Sequence, residues 1–243
     1  MNRKQGIYEK YIKRILDIVC SLLAILSFSW LYLLVSILVK IKLGSPVLFK
    51  QPRPGMIEPS TGKEKIFNMY KFRTMTEQRD EEGNLLPDER RLTKFGSWLR
   101  ATSLDELPET FNILKGDMSV VGPRPQLVRD MVFMTEEQRM RHTVKPGLSG
   151  LAQVNGRNAI GWEEKLKWDL RYIENISFLR DLKIILMTVL KAFIKREGIT
   201  EENMATAEDF GDYLLRSHCV SKEVYDEKQE LAKRIIEGWN GKI

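Results

Sequence analysis

Residues 18–39 carry no charge. A helix rises about 1.5 Å per residue, so this run covers a bilayer's roughly 30 Å hydrocarbon core, and the chain is read as membrane-bound. The run exceeds the apolar core of a signal peptide, and no small-x-small cleavage pattern follows Val39. Basic residues crowd both flanks: Arg3, Lys4, Lys10, Lys13 and Arg14 before it, Lys40, Lys42, Lys50 and Arg53 after it. Positive residues favour the cytoplasmic side, so both ends ask for the same face. A helix that enters, bends and returns meets that demand, whereas a straight span does not. Ser27 and Ser29 are the local candidates for the bend, through hydroxyls that bond back to carbonyls one turn earlier. On charge alone an ordinary span and a buried soluble helix stay open as alternatives.

The rest of the 243 residues can bury a sizeable core, since 43% of the chain is hydrophobic and 30% charged, which excludes wholesale disorder. A formal charge of +6 favours anionic partners such as headgroups, phosphorylated substrates or nucleic acid without choosing among them. Cys20 and Cys219 make no disulfide framework, and two histidines, His142 and His218, leave little for a zinc site.

After the apolar run, turn residues at 44–46 and 52–55 bracket β-prone pieces at 47–49 and 66–73, which predicts a small hairpin beneath the anchor. Residues 76–91 read as a solvated loop. Helical patterns follow at 92–102, 104–114, 125–132 and 136–141, then a Gly-rich loop over 146–158 and a helix over 162–173. Between Phe178 and Ile194 apolar residues recur at helical spacing among Arg180, Lys183, Lys191, Lys195 and Arg196, as in a helix lying on a headgroup surface. The tail carries a helix at 222–239, read as a packing or oligomer-contact element. The fold class is α+β and mostly helical, divided into a membrane helix (1–43), a catalytic domain (44–200) and a helical extension (201–243).

Ser103-Leu104-Asp105-Glu106 matches a capping box, in which Ser103 opens a helix and Glu106 reaches back. Adjacent carboxylates at an exposed helix start can also bind a divalent ion and attack phosphorus. Neighbours on a helix point about 100° apart, so Asp105 and Glu106 would have different jobs. Side chains suited to phosphate stand in the neighbouring segments: Lys71 and Arg73, Arg100, Arg124 between Pro123 and Pro125, and Arg157 after Gly156. Each alone reads as a surface residue, and their value lies in convergence.

Taken in order, Lys13 to Asp17, Tyr70-Lys71-Phe72-Arg73-Thr74-Met75, Leu104-Asp105-Glu106-Leu107-Pro108, Phe111 to Ser119, Val121-Gly122-Pro123-Arg124-Pro125, Pro146 to Gly150 and Gln153 to Arg157 resemble the bacterial monotopic phosphoglycosyl transferases. The likeness is greatest to short members such as the diacetylbacillosamine-1-phosphate transferase, and covers roughly residues 8–200. It implies a re-entrant helix in one leaflet of the bacterial inner membrane, with a compact catalytic domain and interfacial amphipathic helices on the cytoplasmic face. It further implies transfer of a sugar 1-phosphate, of an N-acetylated amino sugar by that likeness, from a UDP-sugar to undecaprenyl phosphate with Mg²⁺, releasing UMP. Asp105 matches the family nucleophile and metal ligand, and Glu106 the glutamate that assists proton handling. Arg100, Arg124 and Arg157 match substrate-contacting arginines, with Lys71 beside them. Short members bend their membrane helix at a Ser-Pro pair, whereas Ser29 is followed by Trp30, so that cause of bending is missing.

The chemistry suits these residues. An aspartate of ordinary pKa near 3.9 is ionised at neutral pH and needs no base, while arginines and Mg²⁺ offset the repulsion between carboxylate and diphosphate. An aspartyl phosphosugar then predicts ping-pong kinetics. The expected partners are the UDP-sugar, undecaprenyl phosphate and phospholipid, with no nucleic acid and a homodimer left open. The rival reading is a non-catalytic, membrane-tethered basic module for anionic lipid or nucleic acid. It accounts for the charge and the anchor but not for the ordered motifs, and the basic residues show little aromatic interleaving for base stacking.

Overall fold

The apolar run folds as two helices. In a computed structural model, which describes residues 5–156, 160–191 and 208–240, a π-helical turn (Tyr8–Ile12) leads into α1 (Lys13–Ser27), and α2 (Ser29–Leu43) follows at a bend of 64°. Among the described residues no single helix is long and apolar enough to cross a bilayer. The break falls at Phe28, whose φ and ψ of −103° and 13° leave the helical region. It lies between the two serines expected to cause it, yet neither hydroxyl is the agent. Among the described residues, back-bonding hydroxyls in this segment belong to Ser21, on the Ile18 carbonyl, and Ser36, on that of Tyr32. The bend comes instead from anchors to the domain below. Buried Asp17 accepts from Ser119 Oγ and the Val120 N–H, both at 2.9 Å, and the Tyr32 hydroxyl donates to the Leu107 carbonyl at 2.8 Å. Lys13 pairs with Asp181, and Arg14 donates to the carbonyls of Ile113 and Leu114 at 2.6 and 2.8 Å. These two cations counted toward topology in the sequence and serve here as tertiary ties.

β1 (Leu48–Ile57) and β2 (Glu64–Phe72) form the expected hairpin, longer than predicted, with Leu48 opposite Phe72, Phe49 opposite Lys71 and Lys50 opposite Tyr70. Strand alternation decides what each face meets. Phe72 packs with Val35 and Val39 of α2 and with Leu99, while Phe67 and Met69 pack with Ile113 and Met118. Arg73, grouped in the sequence with the phosphate binders, is turned to structural use. It donates to the carbonyls of Leu43 and Ser45, tying the hairpin to the end of α2.

The stretch 76–91 is mostly exposed and closes on a short α3 (Asp88–Arg91). α4 (Lys94–Ala101) is capped by Thr93, whose Oγ1 accepts from the Gly96 N–H at 3.0 Å. The helix predicted at 104–114 is two pieces, a 3₁₀ turn (Leu104–Glu106) and α5 (Glu109–Lys115), because Pro108 restarts the helix. Gly116, at φ 94°, ends α5 in the left-handed conformation that glycine tolerates.

Beyond it, β3 (Ser119–Val121) pairs in parallel with β4 (Gly147–Ser149), separated by α6 (Val128–Met131), α7 (Glu136–Arg139) and a 3₁₀ turn (Met140–Thr143). A Cβ on Gly147 would stand 2.0 Å from the Gly122 nitrogen, so only glycine admits this pairing. The Gly-rich stretch is therefore more ordered than a loop, since it holds β4 and α8 (Leu151–Asn155). α9 (Trp162–Glu174) and α10 (Phe178–Leu190) close the core with Val121, Val144, Tyr172, Ile173 and Ile184. One side of α10 is buried through Asp181 and Ile184, while Phe178, Leu179, Leu182, Leu186 and Val189 are exposed. α11 (Phe210–Arg216) and α12 (Lys222–Asn240) pack on the domain, where Ala232 meets Val128, Met131 and Val132 of α6 and its flank.

Candidate active site

The predicted capping box does not form. Ser103 has φ 55° and ψ 18°, makes no side-chain cap, and donates its N–H to the Arg100 carbonyl at 3.1 Å. It opens the 3₁₀ turn through its carbonyl, which accepts from the Glu106 N–H at 3.2 Å, and not through its side chain. That arrangement frees the Glu106 side chain from the backbone and turns it toward Lys71.

Lys71 is the centre of the site. Its Nζ lies 2.8 Å from Glu106 Oε1, 3.2 Å from Glu109 Oε1 and 4.0 Å from Asp105 Oδ2. Arg124 Nη2 donates to the same Glu106 oxygen at 2.8 Å. Four pieces of chain thus converge: β2 brings Lys71, the segment joining α4 to α5 brings Asp105 and Glu106, α5 brings Glu109, and the loop after β3 brings Arg124. The Arg124 backbone is held in turn. Arg141, itself buried and paired with Asp169, donates to the Arg124 carbonyl, and Arg53 donates to that of Pro125 at 3.1 Å. Arg100 Nε donates to Thr74 Oγ1 at 3.1 Å, and its charge acts on Asp105. Arg157 lies outside the described residues. The structure therefore groups Asp105, Glu106, Lys71 and Arg124 and sets Arg100 on the margin.

Three carboxylates facing two cations in a largely dry site cannot behave alike. Burial lifts Asp105 to about 6, opposed by Lys71, so it is mostly ionised at neutral pH but less securely than its sequence suggested. Burial would raise Glu106 as well, but Lys71 and Arg124 overcome it and hold that carboxyl far below the usual range. Glu109, only 2% exposed, is lifted by burial to about 7. Burial alone would lower Lys71, yet Glu106 and Glu109 outweigh it and keep the ammonium charged. Glu109 is the residue that sequence reading missed. Its signal was the i, i+4 spacing from Asp105, hidden by the proline between them.

The donor chemistry admits a hard divalent cation. Glu106 is committed to Lys71 and Arg124, leaving Asp105, at 4.0 Å from Lys71, as the less tightly paired of the two neighbouring carboxylates. Among the described residues no group of three or more His, Cys, Asp or Glu is placed to hold a metal. Mg²⁺ commonly takes one or two protein carboxylates and completes its shell with substrate phosphates and water, which suits this set. His142, unassigned from sequence, is structural. It is buried, held neutral with a pKa pulled down to about 4, and donates from Nδ1 to Glu64 at 3.0 Å.

Three carboxylates packed around an ammonium and a guanidinium form the kind of perturbed cluster that active sites concentrate. Residues 8–195 match the bacterial sugar transferase family, to which the chain belongs. It is 50% identical over 199 residues to an uncharacterized sugar transferase, EpsL, of Bacillus subtilis, covering 82% of this chain and 95% of that one. It is 41% identical over 196 residues to the UDP-glucose:undecaprenyl-phosphate glucose-1-phosphate transferase of Klebsiella pneumoniae, covering 76% of this chain and 41% of the other. An exopolysaccharide production protein, ExoY, of Sinorhizobium fredii is 35% identical over 201 residues, which is 76% of this chain and 86% of that protein. The chain thus spans nearly all of the Bacillus relative and under half of the Klebsiella one. These likenesses speak to the family, not to the short diacetylbacillosamine-type subgroup.

Proposed function

We propose that the enzyme transfers a sugar 1-phosphate from a UDP-sugar to undecaprenyl phosphate, releasing UMP, as the first membrane step of a bacterial surface glycan. The observation that carries this reading is a buried, largely ionised Asp105 within reach of Lys71 and one residue from a glutamate neutralised by Arg124. Asp105 attacks the phosphorus that bears the sugar. The bond from that phosphorus to the UMP oxygen breaks, and the sugar phosphate rests on Asp105 as a mixed anhydride. An oxygen of the acceptor phosphate then attacks the same phosphorus and returns Asp105 as a free carboxylate. Lys71 and Arg124 offset the charge of the phosphates in both steps. Mg²⁺, held by Asp105 together with the diphosphate, would supply further charge neutralisation.

Proton handling falls to Glu109 rather than Glu106. A carboxylate clamped by both Lys71 and Arg124 has no affinity for a proton near neutrality, whereas one lifted to about 7 takes and gives it there. A monoanionic acceptor phosphate loses one proton on attack, and the raised carboxyl of Glu109, 3.2 Å from Lys71, supports giving it that role.

A soluble donor and a very long lipid acceptor require a site at headgroup depth. The bent pair α1–α2 and the exposed apolar side of α10 support a re-entrant, one-leaflet seat, and the basic residues on both flanks of the apolar run favour the cytoplasmic face of the inner membrane. For the donor, the names of relatives favour a UDP-hexose such as UDP-glucose, and the N-acetylated amino sugar rests on the resemblance alone. The test is UMP release from a panel of UDP-sugars with undecaprenyl phosphate and Mg²⁺. Intact mass measured without acceptor should show the sugar-phosphate adduct in the wild type and none in Asp105→Asn. Equal turnover by that variant would refute the assignment.

A further inference from the structure

The loop that carries Arg124 is held by hydrogen bonds on one residue after another. The Gly147 N–H donates to the Pro123 carbonyl at 2.9 Å, Arg141 donates to that of Arg124, and Arg53 donates to that of Pro125 at 3.1 Å. The next hold is on Leu127, whose N–H donates to Asp130 Oδ2 at 3.0 Å where α6 begins. Asp130 is only 2% exposed, and its other oxygen accepts from the Phe210 N–H at 2.9 Å. A single buried carboxylate therefore joins the Arg124 loop to the helical extension, which lies beyond the family match ending at residue 195. The extension is itself fixed at that point. Trp162 of α9 donates its indole N–H to the Glu208 carbonyl at 3.0 Å and packs on the Phe210 ring with centroids 5.1 Å apart, and Asp209 pairs with Arg129 of α6.

From these contacts we propose that the extension is a positioning element of the active site: Phe210, acting through Asp130, fixes the loop from which Arg124 reaches Glu106 and the phosphates of the donor. A tail that only packed would bury apolar surface, as Ala232 of α12 does, and would gain nothing from a carboxylate taken out of water. Asp130 instead supplies a fixed link between two backbone N–H groups, one on each segment, and the charge of Arg53 acts on it against the cost of burial. The inference rests on the transferase reading for what Arg124 binds, and adds a support for that arginine from outside the family region.

Phe210→Pro and Phe210→Ala separate this role from packing. Both remove the ring, but proline alone also removes the N–H, and residue 210 is the first of α11, where proline is accommodated. Asp209 before it already has the extended backbone, φ −72° and ψ 156°, that a following proline requires. In full-length enzyme in lipid nanodiscs, Phe210→Pro should raise KM for the UDP-sugar at least about fivefold over Phe210→Ala, with kcat and KM for undecaprenyl phosphate within about twofold. Backbone hydrogen exchange over residues 122–128 should be faster in the proline variant than in the alanine one. If loss of the ring unfolds both, Asp209→Asn, which removes only the ion pair with Arg129, should give the same two shifts from wild type in smaller measure, and wild-type values there would overturn the proposal. Equal donor KM in the paired variants would also overturn it and leave the transferase reading intact. Absence of UMP release from wild type with every donor would instead bring down the transferase reading, while the exchange comparison would still decide whether the extension holds the loop.

Discussion

The Lys71 ammonium lies 2.8 Å from Glu106 and 3.2 Å from Glu109, so a single cation on β2 links carboxylates on either side of Pro108. Removing it strands buried charge. Lys71→Met should cost on the order of 3–5 kcal/mol, the loss typical of one partner of a buried pair. Adding Glu106→Gln should restore part of that. Urea unfolding of the two single variants and the double variant measures the coupling, and additive losses would show that the ammonium and carboxylate act independently.

Glu109 gives a dependence on pH whose sign is fixed. Its carboxyl is raised in the folded state from about 4.5 to about 7, so the folded protein binds the proton more tightly than the unfolded one. Stability from this group therefore falls as pH climbs through that window. Glu109→Gln should be more stable than wild type at pH 8, by on the order of 1 kcal/mol, with the advantage gone by about pH 5. Denaturant melts at both values check it. The variant should also slow transfer from the adduct to the acceptor and flatten the pH dependence of that half-reaction near 7.

Adduct formation should fail on the acid side for a separate reason. Asp105, lifted to about 6 by burial, must be ionised to attack. The rate of UMP release in a single turnover should fall about tenfold per pH unit well below 6. A profile flat down to pH 4.5 would mean that the attacking group is not this carboxyl.

Arg141 touches none of the three carboxylates, yet it pairs with Asp169 and donates to the Arg124 carbonyl. Arg141→Met should leave Asp169 buried and uncompensated, at a cost of about 3–5 kcal/mol. Asp169→Asn, which keeps the shape, should cost less. In whatever fraction stays folded, KM for the UDP-sugar should rise more than kcat falls, because the loop that carries Arg124 loses its tie.

Ser103 adopts a left-handed conformation that disfavours any residue with a Cβ. Ser103→Gly should stabilise the fold by about 0.5–1 kcal/mol, glycine's chain entropy offsetting part of the relief. Thermal melts decide it, and a destabilised variant would show that the serine side chain makes a contact worth more than the strain.

Much of this was legible in the chain. The hairpin and the amphipathic helix from Phe178 follow from alternation and helical spacing, and the adjacent carboxylates at 105 and 106 stand out in the ordered motifs, all local signals. What escaped depended on distant partners. The serines around Phe28 gave no warning that Asp17 and Tyr32 would set the bend from below. Ser103 to Glu106 has the composition of a capping box, but the left-handed backbone at Ser103 overrides local preference. Glu109 looked like any acidic residue at the start of a helix until Lys71, nearly forty positions earlier, came to stand beside it. Arg73 and Arg124 are indistinguishable as isolated arginines, and the hairpin's packing on α2 turned one into a brace while the other reached the site.

α5 is gripped at both ends by the two apolar helices: Arg14 of α1 holds the Ile113 and Leu114 carbonyls, and Tyr32 of α2 holds Leu107 and Thr110. A bilayer that opens or closes the angle between those helices would pull on opposite ends of the helix that begins with Glu109. Under the proposed one-leaflet seat, catalysis would then be tied mechanically to the thickness and lateral tension of the lipid, and the turnover number would be a property of the membrane as much as of the protein.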